Sequence, residues 1–261
     1  MKLLTYLVKR NIKLYLRDKA TVLFSLTSSL IIIALFVLFL GRLYVDNIVG
    51  LIADYNDVSS ASVQALVFSW VLAGIIVLNA INIPGMILSR IILDKEQNVI
   101  GDFYVAPFKR SYLGLSYIIS ALIVGTVITY VSFIVGEVYI YAISGELFSL
   151  KVHLMIFIYT LLTTTSFSSM MFLIYLFVKT SSTIGGINAL TSSVGGFLAG
   201  IYITIGNLTG ITRDIVSSNP LAHATTLLRN VLMTDQIKLF ISLSHAMFSS
   251  TNLKLYICNK V

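Results

Sequence analysis

In this chain of 261 residues, 57% are hydrophobic, only 11% are charged, and the mean hydropathy is +0.93. That balance excludes an ordinary soluble domain, about a quarter of whose residues are charged, and points to one polytopic membrane domain. Lys and Arg number 18 against 11 Asp and Glu, a net charge of +7 that would suit nucleic acid, but their placement along the chain follows membrane topology, and no nucleic acid is expected as a partner.

Residues 1–19 place Leu4, Leu7, Val8, Ile12 and Tyr15 on one side of a helix and Lys2, Lys9, Arg10, Lys13 and Arg17 on the other. Such a helix lies flat at a membrane surface, with its basic side toward anionic lipid headgroups. The alternative is a solvated start of the first span. A charged start before an apolar stretch is also how a secretory signal begins, but residues 20–41 exceed a signal h-region and no A-x-A-like site follows, so the stretch reads as a retained span.

Uncharged stretches cover residues 20–41, 58–89, 111–136, 152–178 and 180–212. Each exceeds the roughly 20 residues a helix needs to cross about 30 Å of hydrocarbon. Spans are expected at 20–41, 64–89, 112–136, 153–178 and 184–210, giving an all-α polytopic membrane protein of five transmembrane helices. Lys2, Lys9, Arg10, Lys13, Arg17 and Lys19 precede the first span, Arg90, Lys95, Lys109 and Arg110 follow the second, and Lys179 follows the fourth. The alternate loops hold Arg42 and Lys151 with Asp46, Asp54, Asp57, Glu137 and Glu146, so the positive-inside rule puts the N-terminus in the cytoplasm.

Inside the second stretch, Asn79, Asn82 and Pro84 stand beside Gly85 in what would be a helix of about 48 Å. Pro84 frees the carbonyl of Ala80 and bends the helix. The two amides are candidates for lining a pathway; alternatively they hydrogen-bond to neighbouring helices and freed carbonyls. Trp70 reads as an anchor at the outer interface. The connection at 90–111 holds the densest charge, with Asp94, Lys95 and Glu96 followed by Ile100, Phe103, Tyr104 and Val105 before Pro107 stops the helix. A short helix there would show one charged and one apolar side, suited to docking a soluble partner, or it is only a solvated connection.

Glu137, just past the third stretch, is expected at the outer interface without need of a buried partner. The fourth carries Thr163, Thr164, Thr165, Ser166, Ser168 and Ser169, which either wet a cavity or, the preferred reading, bond to carbonyls one turn back. In the fifth, Ser192, Gly196 and Gly200 recur every four residues, a small-residue face for helix packing or a dimer contact. His153, His223, His245 and the single Cys258 lack ligand spacing, so neither catalysis nor a metal site is expected of this chain.

A charged short helix, then Gly101, then Ala106-Pro107-Phe108-Lys109-Arg110 with Leu113-Gly114 leads into the next span. Arg10-Asn11 and Leu14-Tyr15-Leu16-Arg17-Asp18-Lys19 precede Phe24, and Ser218-Asn219-Pro220-Leu221 with Leu228-Arg229 follow the fifth span. In this order, over residues 5–235, the chain resembles the membrane permease subunits of type-2 ABC exporters. The resemblance implies a translocation path for a drug, antibiotic, lipid or similar amphipathic substrate in a bacterial cell membrane. It implies a second permease copy, as homodimer or heterodimer, and separate soluble ATPase subunits that use ATP and Mg, with no cofactor bound by this chain. It also implies a coupling helix at 94–106, with Asp94, Lys95, Glu96, Ile100 and Phe103 engaging the ATPase.

The sequence itself holds no G-x-x-x-x-G-K-[ST] phosphate loop. Permeases of the family it resembles usually have six spans; here residues 239–253 make a poor span and 254–261 read as an altered ending, by truncation or a shifted reading frame, which leaves 213–261 as an outer segment and tail. Two other classes compete. A gradient-driven secondary carrier needs an ionisable group deep in a span, and a non-transporting scaffold or immunity protein would bind a partner without substrate-dependent ATP turnover.

Overall fold

The computed structural model describes residues 2–41, 46, 60–105, 109–202 and 209–243, and among these every regular element is helical. The amphipathic opening forms α1 (Lys2–Arg17), which buries Leu7, Asn11 and Tyr15, one residue per turn, and exposes Lys2, Lys9 and Lys13. After Asp18, α2 (Lys19–Leu35) starts and runs into a wider π-helical turn at Phe36–Leu40.

Asp18 is why the chain can turn and restart there. Its Oδ1 accepts the Thr21 N–H at 3.1 Å and its Oδ2 accepts the Thr21 hydroxyl at 2.8 Å, satisfying a donor that the first turn of α2 leaves open. These bonds hold the exposed carboxyl below its ordinary pKa. Replacing Asp18 with Ala is expected to remove about 1 kcal/mol near neutral pH. Because the folded pKa is depressed, that gap to wild type is complete above about pH 4. It closes as pH falls through the lower folded value, and thermal unfolding of both proteins in detergent across this range measures it.

Four helical runs are long and apolar enough to cross a membrane among the described residues: Lys19–Phe39, Ala61–Glu96, Arg110–Ser144 and Leu150–Leu176. They correspond to α2, to α3 (Ser60–Leu88) continued by α4 (Arg90–Glu96), to α6 (Arg110–Ser144) and to α7 (Leu150–Leu176), with the short α5 (Val99–Val105) between α4 and α6. The chain is an all-α, multi-pass membrane protein. The apolar window of α3 is 94% buried and that of α2 only 18%.

The fifth apolar stretch is helical only in part. Its helix, α8 (Ser181–Leu198), ends where Gly200 adopts φ +65°, a conformation that L side chains resist. Residues 203–208, including Gly206, lie outside the described residues. Beyond them come α9 (Ile211–Ser217) and α10 (Pro220–Leu243). The sequence reading leaves this region as outer segment and tail, yet Asn219-Pro220 is a helix start: Asn219 Oδ1 accepts the Leu221 N–H at 2.9 Å, and Pro220 occupies the first position, where a missing N–H does no harm. The rest of the tail, with His245 and Cys258, lies outside the described residues.

Packing divides the chain into two compact units, one of Met1–Ser28, Leu78–Val131 and Thr160–Gly195, the other of Ser29–Val77, Ser132–Tyr159 and Gly196–Val261. In the first, the close approach of helices is at Pro84. A Cβ on Gly125 of α6 would stand 2.9 Å from Pro84 Cγ and 2.9 Å from Thr164 Cγ2 of α7. Neither a proline ring nor a β-branched side chain gives way easily, so Gly125→Ala is expected to cost about 1–3 kcal/mol, read as a lower melting temperature in detergent.

In the second unit, two residues that the sequence places at the outer interface are buried. Trp70 is not an interface anchor: it is 2% exposed, with the guanidinium of Arg229 4.4 Å above its ring. Glu137 does have buried partners. It is 5% exposed, accepts the Phe148 N–H at 3.1 Å, and lies 3.0 Å from His153 Nε2. The turn between α6 and α7 folds back over the carboxylate, which burial then obliges to be paired.

Candidate functional site

The charged connection between α3 and α6 is a helical corner. α4 runs to Glu96, and Asn98 at φ +57° reverses the chain into α5, a left-handed position that Asn tolerates better than most residues. Lys95, Glu96, Gln97, Asn98 and Gly101 are exposed at this corner, while Ile91, Ile92 and Ile100 are buried beneath it. Among the described residues, nothing lies within 4 Å of a Cβ placed on Gly101. Ala106, Pro107 and Phe108, the end of the expected coupling segment, lie outside the described residues.

Asp94 departs from the sequence reading, which places it on the charged, partner-facing side. It is fully buried. Its Oδ2 accepts hydrogen bonds from Arg10 Nη1 of α1 at 2.9 Å and from the Tyr117 hydroxyl of α6 at 2.5 Å. Arg90 Nε lies 3.2 Å from Oδ1, near enough for ion pairing though too far off line for a hydrogen bond. A buried carboxylate needs such company, and here two cations and a phenol supply it. Burial works against the charge on Arg10, and the hydrogen bond and attraction of Asp94 outweigh it, raising the guanidinium above its ordinary pKa.

Other contacts bind the corner to its surroundings. Arg10 lies 5.2 Å above the ring of Phe103, so α1 touches α5 as well as α4. Asn11, buried among the apolar residues of α1, donates through Nδ2 to Ser116 Oγ at 3.3 Å, and Ser120 Oγ donates to the Val8 carbonyl at 3.3 Å. Glu96 accepts the Ser181 N–H at 2.7 Å, placing a carboxylate at the N-terminus of α8, where the helix dipole favours it. Of the five residues singled out for coupling, Lys95 and Glu96 are exposed, Phe103 is half-buried beneath Arg10, and Asp94 and Ile100 hold the corner from inside. The sequence reading has Arg10 and Arg90 only as topology and family-pattern residues and does not include Tyr117; the i, i+4 spacing of Arg90 and Asp94 is the signal that could join two of the four.

The pathway candidates divide. Asn79 is buried, whereas Asn82 is half-buried one turn along and Pro84 is packed against Gly125. The hydroxyls of α7 also divide: Thr165, Ser166 and Ser169 donate to the carbonyls of Leu161, Leu162 and Thr165, one turn back. The Thr164 and Ser168 hydroxyls are instead buried without a hydrogen-bond partner among the described residues, like those of Thr160, Thr126 and Thr129 and the Asn79 amide nitrogen. The small-residue face also breaks up. Ser192 is exposed, Gly196 is covered by the Tyr202 ring of the same chain, and Gly200 lies past the end of α8.

Compared with known families, the chain matches the family model described as ABC-2 type transporter over residues 2–233. No curated protein and no solved structure matches it.

Proposed function

Because the chain belongs to the ABC-2 type transporter family, as a transport subunit of the permease kind matched over residues 2–233, we propose that it forms the translocation path of an exporter driven by separate ATPase subunits. Those subunits would bind and hydrolyse ATP with Mg, this chain binding neither. The substrate would be a drug, an antibiotic, a lipid or a similar amphipathic molecule, and a second permease copy would complete the path. Its N-terminus would be cytoplasmic, in a bacterial cell membrane, because the basic residues of α1 and of the α4–α5 corner share one side.

The single observation that carries the coupling reading is the exposed corner bound from within. Lys95, Glu96, Gln97, Asn98 and Gly101 offer a surface to a soluble partner, while Asp94 ties the same corner to α1 and α6. A push on the corner would therefore reach the membrane helices through hydrogen bonds and ion pairs that resist being broken. Of Ser192, Gly196 and Gly200, Ser192 is the exposed one and would contact a second copy.

Gly101→Trp tests the docking surface. Among the described residues nothing crowds the position, and a Gly in a helix interior is already unfavourable, so folding should be unharmed. Purified from its native membrane in mild detergent, the wild-type chain should bring down a phosphate-loop ATPase, and Gly101→Trp should lose it while keeping its melting temperature. An ATPase recovered equally with both would move docking elsewhere; none with either would count against the exporter reading.

A further inference from the structure

A cavity of about 180 Å³ opens where the start of the chain meets the end of α3. Tyr15, Asp18 and Thr21 line it from the α1–α2 corner, Ser89 and Arg90 from the α3–α4 joint, and Asn188 from α8. Its depth can be read from the helices. The span-capable run of α2 begins at Lys19, immediately after Asp18, and that of α3 passes into its polar end at Arg90. Both charged residues thus stand where two apolar runs give way to polar chain, the level at which lipid headgroups meet a membrane protein.

Size and charge narrow the occupant. Pockets that enclose drug-sized molecules measure about 300–1,000 Å³, so this one admits a headgroup and excludes a whole amphiphile. Leu23 and Phe24 are exposed on α2 immediately beyond Thr21, a surface along which acyl chains could lie. The two charges in the lining are opposite. Arg90 faces Asp94 through Nε, and its other guanidinium donors, which make no hydrogen bond among the described residues, can serve an anion. Asp18 takes two bonds from Thr21, and a carboxylate has lone pairs for more.

We propose that this cavity holds the phosphoethanolamine headgroup of a membrane lipid, its phosphate at Arg90 and its ammonium at Asp18. A primary ammonium brings N–H donors for the carboxylate; a choline group has none, and a glycerol headgroup has no cation. The site goes beyond the export reading and does not rest on it.

Native mass spectrometry of the full chain, released from detergent with added phosphatidylethanolamine or phosphatidylglycerol, tests it. Wild type should retain phosphatidylethanolamine about fivefold better, the value of one charge contact near a membrane surface. Asp18→Asn keeps a good helix cap while removing the charge, and should abolish that preference without lowering phosphatidylglycerol retention. Leu14→Trp, which fills the cavity from α1, should reduce phosphatidylethanolamine retention to the phosphatidylglycerol level. Equal retention of the two lipids by wild type, or a preference unchanged in both variants, would overturn the proposal. Competition by glycerophosphoethanolamine at the same concentration as the lipid would overturn the lipid as occupant and assign the site to a soluble zwitterion.

Discussion

Replacing Asp94 with Ala should lower stability by about 3 kcal/mol and release α1 from the α4–α5 corner. The magnitude follows from what the change leaves behind. The carboxylate is fully buried, and without it Arg10 and Tyr117 lose their shared acceptor while Arg90 loses its counter-charge. The arginine side chains keep 27% and 35% of their exposure, so water offsets part of the loss and the cost falls toward the lower end for a broken buried pair. Hydrogen exchange is the sharper measurement. Amides of α1 should exchange faster in Asp94→Ala, whereas those of α7, which no bond to Asp94 reaches, should not change. Unaltered exchange in α1 would mean that Asp94 does not anchor it. Since Asp94→Lys would bury a third cation, charge reversal there reports on folding and cannot serve as a test of docking; Gly101 and Lys95 can.

Arg229→Leu should be of comparable severity in the other unit. Arg229 is 7% exposed and donates to the carbonyls of Gly200 at 2.9 Å, Ala199 at 3.2 Å and Trp70 at 3.4 Å, with its guanidinium over the Trp70 ring. Leucine fills much of the space but satisfies none of these carbonyls, and each buried polar group left unpaired costs about 1–3 kcal/mol. Two of the three lie just past α8, where a cation also complements the helix C-terminus. A loss of about 3 kcal/mol or more is therefore expected, measured as a lower unfolding midpoint together with changed Trp fluorescence. Trp70 is the sole tryptophan, so the signal is unambiguous. Arg229→Lys should recover only part of the loss, because one ammonium cannot reach three carbonyls in the guanidinium's fork geometry.

The amino-acid sequence alone determined what depends on solvent and on neighbours along the chain. Long uncharged runs must be helical in lipid, since no water satisfies their backbone there, and α2, α3, α6 and α7 follow from that. The amphipathic face of α1 and the breadth of the family resemblance are likewise local patterns. The sequence did not disclose α10 itself, because Thr, Asn, His and Arg residues dilute its apolar signal; its helix follows from burying Leu221, Leu228 and Leu232. Only the tertiary structure decided which polar residues face inward. Asp94 and Lys95 are adjacent and both ionisable, yet one is fully buried and the other exposed. Position along a span makes Trp70 and Glu137 look interfacial, but Arg229 lies 159 residues from Trp70 and His153 lies across a turn from Glu137. Pairing of that kind depends on side chains brought together by helix packing, whose energetics no periodicity or charge count along a single chain contains.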